Sequence, residues 1–357
     1  MEILNERTGK PEKLGKLFFL RGKEQQELNY AEAGDIVAVA KLQHTVSGDT
    51  LCDKNDIIRY LPLDYPSPSL YVAIEAVDKK DEDKIFSGLT RLREEDPSFV
   101  VERNDETHQT LLGGQGEMQL NIVIAKLKDR FGVEVKTVPQ KIAYRETIKG
   151  TSDVQGKHKK QSGGAGQYGD VHIRFSPSQE EFEFSEELFG GSIPKNYVPA
   201  VEKGLKESME KGPLAGCKVV NIKAVLYDGS YHDVDSNEMA FKIAASLAFK
   251  KGIAEAKPCL LEPVMRLEII VPDDYVGDVM GDMNKRRGKI LGMEPLAEGG
   301  QKLMAEAPQA ELFDYAIVLR SMTQARGNFS MHFERYEEVP AQIAQKIIAA
   351  HQAEQEK

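Results

Sequence analysis

The segment Ser230-Tyr231-His232-Asp233-Val234-Asp235 brings a hydroxyl, an imidazole and two carboxylates within six residues. These are the side-chain types of a nucleophilic or metal site. A Ser–His–Asp triad, however, is assembled from separated loops, and a metal site needs spaced ligands such as His-x-x-x-His. Neither pattern is present, and His44, His108, His172, His332 and His351 show no ligand spacing. His232 therefore reads as an exposed loop residue able to hydrogen-bond RNA. A second segment, Gly163-Gly164-Ala165-Gly166-Gln167-Tyr168-Gly169, could be read as a phosphate cradle. It does not lie between a strand and a helix, because a strand-like run follows it, and a flexible hairpin tip is the plainer reading. Such a tip is thin enough to enter a groove, with Gln167 to donate and accept hydrogen bonds and Tyr168 to stack on a base.

A nucleotide site is not in evidence. Each Gly-Lys pair is followed by Pro11, Leu17, Glu24, His158 or Ile290, never by the Ser or Thr of a phosphate-binding loop. No Asn-Lys-x-Asp sequence reads guanine, and Asp278-x-x-Gly281 is a chance match. No catalytic residue, metal ligand or cofactor site is expected in this chain.

The 357 residues carry 47 basic and 57 acidic side chains, a net charge of −10. That balance argues against coating nucleic acid by bulk attraction but allows contact through local basic loops. Two exist: Lys157-His158-Lys159-Lys160, and Lys285-Arg286-Arg287-Gly288-Lys289. Taken alone, each reads as a solvated turn. Cys52, Cys217 and Cys259 are too few and too scattered for a disulfide framework or zinc site. No apolar run approaches the roughly 18 residues of a membrane span, and no signal peptide opens the sequence. A reduced, cytoplasmic protein without membrane contact is expected.

The elements that must position these residues fall into an order. Residues 1–62 read as short strands, Lys16 to Leu20 and Asp35 to Ala40 among them, too few to close a barrel. Leu61 to Pro68 reads as a proline-rich extended linker. From 68 to 142 the order is βαββαβ. Its strands are Tyr71–Val77, Phe99–Arg103, Gln109–Leu112 and Val133–Thr137, and its helices Asp81–Glu95 and Gly116–Phe131. The first helix places Ile85, Phe86, Leu89 and Leu92 on one face. A split βαβ sheet closes such an order. It returns at 259–357: strand Val264–Val271, helix Asp273–Arg287, strands Lys289–Met293 and Lys302–Ala305, helix Leu312–Met322 and strand Asn328–Glu334. A last helix runs from Pro340 to Gln352. Between the two, 143–258 is less regular, with strands at Val171–Phe175 and Cys217–Leu226 and helices at Ile193–Lys211 and Asp235–Ala256. Asp235-Ser-Asn-Glu238 reads as a capping box, and Met239, Ile243 and Leu247 as the buried helix face.

Taken in order, the sequence closely resembles elongation factor G, the translational GTPase family that drives translocation on the ribosome. The matching residues are Gly48 to Cys52, Glu95 to Phe99, Gly116-Glu117, Tyr144 to Thr147, Gln161 to Gly164 with Gly166 to Gly169, Tyr231 to Ser236, Leu261 to Pro263, Arg287-Gly288 and Tyr336 to Pro340. They run over essentially the whole chain. The resemblance implies an α+β multidomain fold: a partial β-barrel remnant, two ferredoxin-like βαββαβ domains, and a ribosomal-protein-S5-like α/β domain between them. Residues 1–62 would be the C-terminal part of barrel domain II, 68–142 domain III, 143–258 domain IV, and 259–357 domain V with its C-terminal helix.

Function follows as an expectation from the same resemblance. The chain would be a ribosome-binding portion, acting as a monomer, that promotes movement of transfer and messenger RNA. Its domain IV would enter the decoding-side A site. GTP and magnesium would belong to a GTPase domain outside these residues. Gly163, Gly164, Gly166, Gln167, Tyr168, Tyr231, His232 and Asp233 match the family's RNA-contacting tip, and Arg286, Arg287 and Arg326 are phosphate-contact candidates on ribosomal RNA. Ala165 stands where many members carry Arg, and Gln115 and Gln119 where many carry Met and His. Those departures, with the Gly156 to Lys160 strand, point to the alternative of a paralogue that docks on the ribosome without translocating. A ribosomal protection or rescue factor is a further alternative, ranked lower because the glycine loop and Tyr231-His232 match translocases better.

Overall fold

The computed structural model describes residues 2–160, 166–297 and 299–355. Met1–Arg103 and Thr110–Pro139 form one unit, Asn104–Gln109 and Gln140–Lys357 a second.

The first unit opens with six short strands: β1 (Glu2–Asn5), β2 (Lys10–Lys13), β3 (Leu17–Arg21), β4 (Glu24–Leu28), β5 (Ala38–Val39) and β6 (Leu51–Cys52). They pair into two three-stranded sheets, β2-β1-β6 and β4-β3-β5, and close no barrel among the described residues. The strand expected over Asp35 to Ala40 shrinks to two residues. Only Ala38 and Val39 find partners on β3, and Ile36 is left 91% exposed. Asp49 fixes the entry to β6, taking Arg7 Nε at 2.5 Å and Asn5 Nδ2 at 2.8 Å. The Arg7 hydrogen bond holds its carboxyl well below the usual carboxylate range.

A segment without regular structure leads to β7 (Leu70–Ala76), α1 (Glu82–Glu95), β8 (Val100–Asn104), β9 (Gln109–Gly114), α2 (Glu117–Phe131) and β10 (Val135–Val138). The sheet order is β10-β7-β9-β8, the arrangement of a ferredoxin-like unit. Ile85, Leu89 and Leu92 are buried as the spacing predicts, but Phe86 is 52% exposed. Gly88 explains the rotation. It meets α2 so closely that a Cβ there would lie 2.6 Å from Leu127, which centres the contact on Gly88 and turns Phe86 outward.

The second unit contains β11 (Arg145–Ile148), β12 (Ser152–Lys160), β13 (Gln167–Pro177), β14 (Phe182–Glu186), α3 (Val198–Met209), β15 (Lys218–Val219), β16 (Ile222–Ser230) and α4 (Glu238–Glu255). The sheet β12-β13-β16-β14 packs one face on α3 and α4 around Phe175, Phe241 and Phe249. Here the expected helix face is overturned. Met239 is 56% and Leu247 42% exposed and Ile243 is half-buried, while Ala240, Ala244, Ala245 and Ala248 are sealed. The sheet approaches too closely for large side chains. A Cβ on Gly156 would collide with the Ala244 carbonyl, and one on Gly169 would lie 2.6 Å from that of Ala240. Small residues on both sides bring helix and strands together.

After α4 come β17 (Pro258–Val271), α5 (Val276–Lys285), β18 (Lys289–Pro295), β19 (Gln301–Pro308), α6 (Tyr315–Met322), β20 (Asn328–Glu338) and α7 (Ala341–Gln355). Among these four strands the order is β18-β19-β17-β20, again ferredoxin-like. The sheet does not stop there. β11 pairs antiparallel with the start of β17, Arg145 opposite Leu261 through Ile148 opposite Pro258, and β15 pairs with β11. At this joint Glu146 is fully buried and accepts backbone N–H bonds from Leu214 at 2.9 Å, Ala215 at 2.9 Å and Cys217 at 3.1 Å. Ile343, Ile347 and Ile348 of α7 pack over Ala215 and Leu260 beside it. Among the described residues no helix is long and apolar enough to cross a membrane.

Candidate nucleic-acid interface

Strands β12, β13 and β16 meet at one end of their sheet, where Lys160 lies opposite Gln167 and Ser230 opposite Asp170. The described residues of the two segments singled out in the sequence, Gly166 to Gly169 and Ser230 to Asp235, lie at this end. Gly163 and Gly164, with Gln161, Ser162 and Ala165, lie outside the described residues. Their neighbour Gly166 is buried and its N–H donates to Asp235 Oδ1 at 2.9 Å. Tyr168 N–H donates to the Asp235 carbonyl at 2.9 Å, and Ser236 Oγ donates to the Tyr168 carbonyl at 2.9 Å. The two loops are therefore stitched into one body.

The stitching depends on a change of helix cap. Asn237, not Asp235, caps α4, its Oδ1 accepting from Ala240 N–H at 2.9 Å. Starting the helix two residues later frees the Asp235 carboxylate to bind across to Gly166.

His232 occupies the turn so formed. Its Nδ1 accepts from the backbone N–H of Val234 and of Asp235, both at 3.3 Å, and the side chain is 58% exposed. Because Nδ1 accepts, the neutral ring carries its proton on Nε2 and offers a donor to solvent or to an incoming phosphate, ribose or base edge. Tyr231 is 44% exposed and Asp233 exposed beside it.

Gln167 and Tyr168 are half-buried. Gln167 Oε1 lies 2.9 Å from His158 Nε2. The Tyr168 hydroxyl donates to Ser230 Oγ at 2.7 Å, and Ser230 Oγ donates in turn to Asp170 Oδ2 at 2.7 Å. Asp170, 5% exposed, also accepts from Gln155 Nε2 at 2.8 Å, with Lys157 Nζ 3.9 Å away. Lys157 sits 5.5 Å above the Tyr168 ring, whose centroid is 6.5 Å from that of His232. The ring is thus oriented from below by a hydroxyl–carboxylate chain. Sequence reasoning missed this chain, because its members are adjacent only once β13 and β16 are in register. Lys159 and Lys160 are exposed on the edge strand β12. The sequence signal for the cluster was the basic run that contains them.

The second basic segment is organised differently. Arg287 binds Glu262 with both terminal nitrogens, at 2.7 and 2.9 Å, and Glu311 through Nε at 3.0 Å. Arg286 binds Asp282 at 2.7 Å, Asp314 at 2.6 Å and the Glu311 carbonyl at 2.5 Å. These carboxylates raise both guanidinium pKa values, burial opposing. Arg326 is exposed, stacks 4.8 Å over the Tyr275 ring and hydrogen-bonds its hydroxyl. Of the three arginines, Arg326 is the one most open to a phosphate.

In the first unit, Gln119 receives Gln115 N–H at 2.8 Å and donates to Asp96 at 3.0 Å and Ser98 at 2.7 Å. Gln115 donates to the Pro66 and Ser67 carbonyls, both at 2.9 Å. The two glutamines thereby pin the linker and the turn after α1. Among the described residues no group of His, Cys, Asp and Glu is arranged to hold a metal ion.

Comparison with known proteins places these features in a family. Residues 65–139 match the sequence model of elongation factor G domain III, 139–257 that of domain IV, and 259–347 that of the elongation factor G C-terminus. The crystal structure of a protein from Thermus thermophilus is similar at 40% identity and a TM-score of 0.84, covering 99% of this chain and 53% of that one. The chain therefore spans about half the length of this relative. With three successive domain models matched in order, the chain belongs to the elongation factor G family.

Proposed function

We propose that this chain is a ribosome-binding C-terminal portion of an elongation factor G-type GTPase and promotes movement of transfer and messenger RNA. The observation that carries this is the stitched pair of loops at the end of the β12-β13-β16 sheet. His232 Nε2 there is an oriented donor, Tyr168 is held from below, and Lys157, Lys159 and Lys160 stand alongside. In this reading, domain IV (143–258) enters the decoding-side A site. Gly163, Gly164, Gly166, Gln167, Tyr168, Tyr231, His232 and Asp233 face the RNA. Glycines let backbone approach closely, His232 and Gln167 bond phosphate, ribose or base edges, and Arg326 with Arg286 and Arg287 lies toward ribosomal RNA. Residues 1–62 complete a barrel, and 68–142 and 259–357 serve as the flanking domains. The protein works as a monomer in the cytoplasm. GTP and magnesium belong to a partner GTPase domain, since no motif in this sequence fits them.

The test is to graft residues 1–357 onto the GTPase half of a working elongation factor G and measure messenger movement on pre-translocation ribosomes. Ribosome-stimulated GTP hydrolysis is the control. Movement that is lost in His232→Ala supports the proposal. Hydrolysis without movement supports the second reading, a ribosome-docking paralogue, with the departures at Ala165 and Gln119 as the first suspects.

A further inference from the structure

Strand β14 runs parallel to β16 and leaves the sheet toward the end that carries the tip loops. The chain then passes through residues 187–197 before entering α3. Sequence reading gave this connection no role, yet it is firmly anchored on both sides. Glu187 N–H donates to the Leu226 carbonyl at 2.8 Å, and Leu188 packs against the core. On the return, Ile193 is 2% exposed and lies so close to Gly229 that a Cβ there would meet its Cδ1 at 2.5 Å. The Tyr197 hydroxyl donates to the Ser236 carbonyl at 3.1 Å, tying this segment to the His232 loop.

Between the anchors the backbone makes one tight turn, Phe189-Gly190-Gly191-Ser192. Gly190 and Gly191 have φ of +65° and +75°, and Ser192 N–H returns to the Phe189 carbonyl at 3.3 Å. Two consecutive left-handed residues favour glycine, which adopts them without a Cβ penalty, and they close the turn tightly. That turn presents the Phe189 ring at 92% exposure. Lys195 and Asn196 follow it, both exposed. The carboxylate of Glu187, at the base, is paired with Arg174 at 3.8 Å. An exposed aromatic ring, a cation and an amide within eight residues are the elements that hold single-stranded nucleic acid, by stacking on a base and pairing with a phosphate.

We propose that residues 187–196 form a third finger of the tip, with Phe189 stacking on an unpaired RNA base and Lys195 meeting the adjoining phosphate. This rests on the ribosome reading above and extends it to a residue outside the two recognised loops. The ring is exposed and supports no packing, so its replacement leaves the fold intact, and thermal unfolding of each variant checks that.

The experiment measures co-sedimentation of the 357-residue chain with ribosomes whose A site is vacant, for wild type and for Phe189→Ala, Phe189→Leu and Phe189→Trp. Stacking predicts that Ala and Leu each weaken binding about 5- to 150-fold while Trp retains it. Replacing Phe189 with the photoreactive p-benzoylphenylalanine should give crosslinks to RNA. Unchanged binding by Phe189→Ala overturns the inference and leaves the ribosome reading standing. Binding retained by both Leu and Trp, with crosslinks to a ribosomal protein, overturns it in favour of an apolar protein pocket. Failure of the wild type to bind ribosomes, both alone and grafted onto the GTPase half, overturns both.

Discussion

The tip and the joint, at opposite ends of α4, use charged groups in opposite ways. At the tip, Lys159 and Lys160 are exposed, and the ring of His232 is held by backbone contacts and faces solvent. Toward the joint and the sheet beyond it, Glu146 and Glu262 are buried and saturated, one by three backbone N–H groups and the other by the Arg287 guanidinium. The difference teaches that a basic run in a sequence has no fixed meaning. Lys157 to Lys160 lies on an edge strand with solvent beside it, whereas Arg286 and Arg287 sit where acidic side chains from several other segments converge. Charge is left open to solvent in the first place and tied into the architecture in the second.

Mutations should separate the two ends, the joint side giving the larger losses of stability. Arg287→Ala strands the buried carboxylate of Glu262 and should lower unfolding free energy by about 3–5 kcal/mol. Arg287→Lys should recover only part of this, because an ammonium lacks the planar fork that makes two parallel bonds to Glu262 while Nε binds Glu311. Denaturant titration measures both, and a loss below about 1 kcal/mol for Arg287→Ala would place this arginine with the tip cations. Glu146→Ala orphans three buried N–H groups and should cost about 3 kcal/mol.

Glu146 also carries a signed pH effect. Burial pushes its carboxyl above the ordinary range, outweighing the opposing pull of the three N–H donors. The native state therefore holds the proton more tightly than the unfolded chain does. Its contribution is fully present below the ordinary carboxyl value and is lost as pH rises through the native one. Wild-type stability measured relative to Glu146→Gln should fall from about pH 4 upward, and a difference that rises instead would refute the assignment.

At the tip the effects on stability shrink. Ser230→Ala breaks the chain from Tyr168 to Asp170 and should cost about 1 kcal/mol. His232→Ala should change stability by no more than about 0.5 kcal/mol, as expected of an exposed side chain, while abolishing movement in the grafted factor. A His232→Ala loss as large as that of Glu146→Ala would erase the contrast between the two ends.

Periodicity made most elements of this fold legible, and the two βαββαβ orders led directly to the two ferredoxin-like sheets. What it missed has a common cause. Phe86 and the stripe Met239, Ile243 and Leu247 read as core because they are large and apolar at helical spacing. Their helices are turned by close approaches at glycine and alanine, whose spacing carries little hydropathy signal, so that other large residues, Leu89 and Phe241 among them, take the core positions. Asp235 matched a capping box, but its carboxylate is claimed by Gly166, 69 residues earlier in the chain. Loop composition marked His232 as an exposed loop residue, and its side chain is 58% exposed. The Asp170 chain and the Phe189 turn were not marked, since strand register and left-handed glycines determine them.

The strand β11 gives the tip a load path. α4, of 18 residues, is about 27 Å long and runs from the Asn237 cap at the tip to Ala256, where Gly150 N–H binds its carbonyl at 2.9 Å. Two residues later the chain enters β17, to which β11 is bonded edge to edge. Force applied at His232 thus travels down a helix and a continuous strand, with no slack linker in between. The sheet takes it in shear across four consecutive residue pairs and passes it to β19 and β20. Lys257 is the one residue between the Ala256 cap and β17, so a displacement of the tip has little free chain in which to be absorbed before it reaches the sheet.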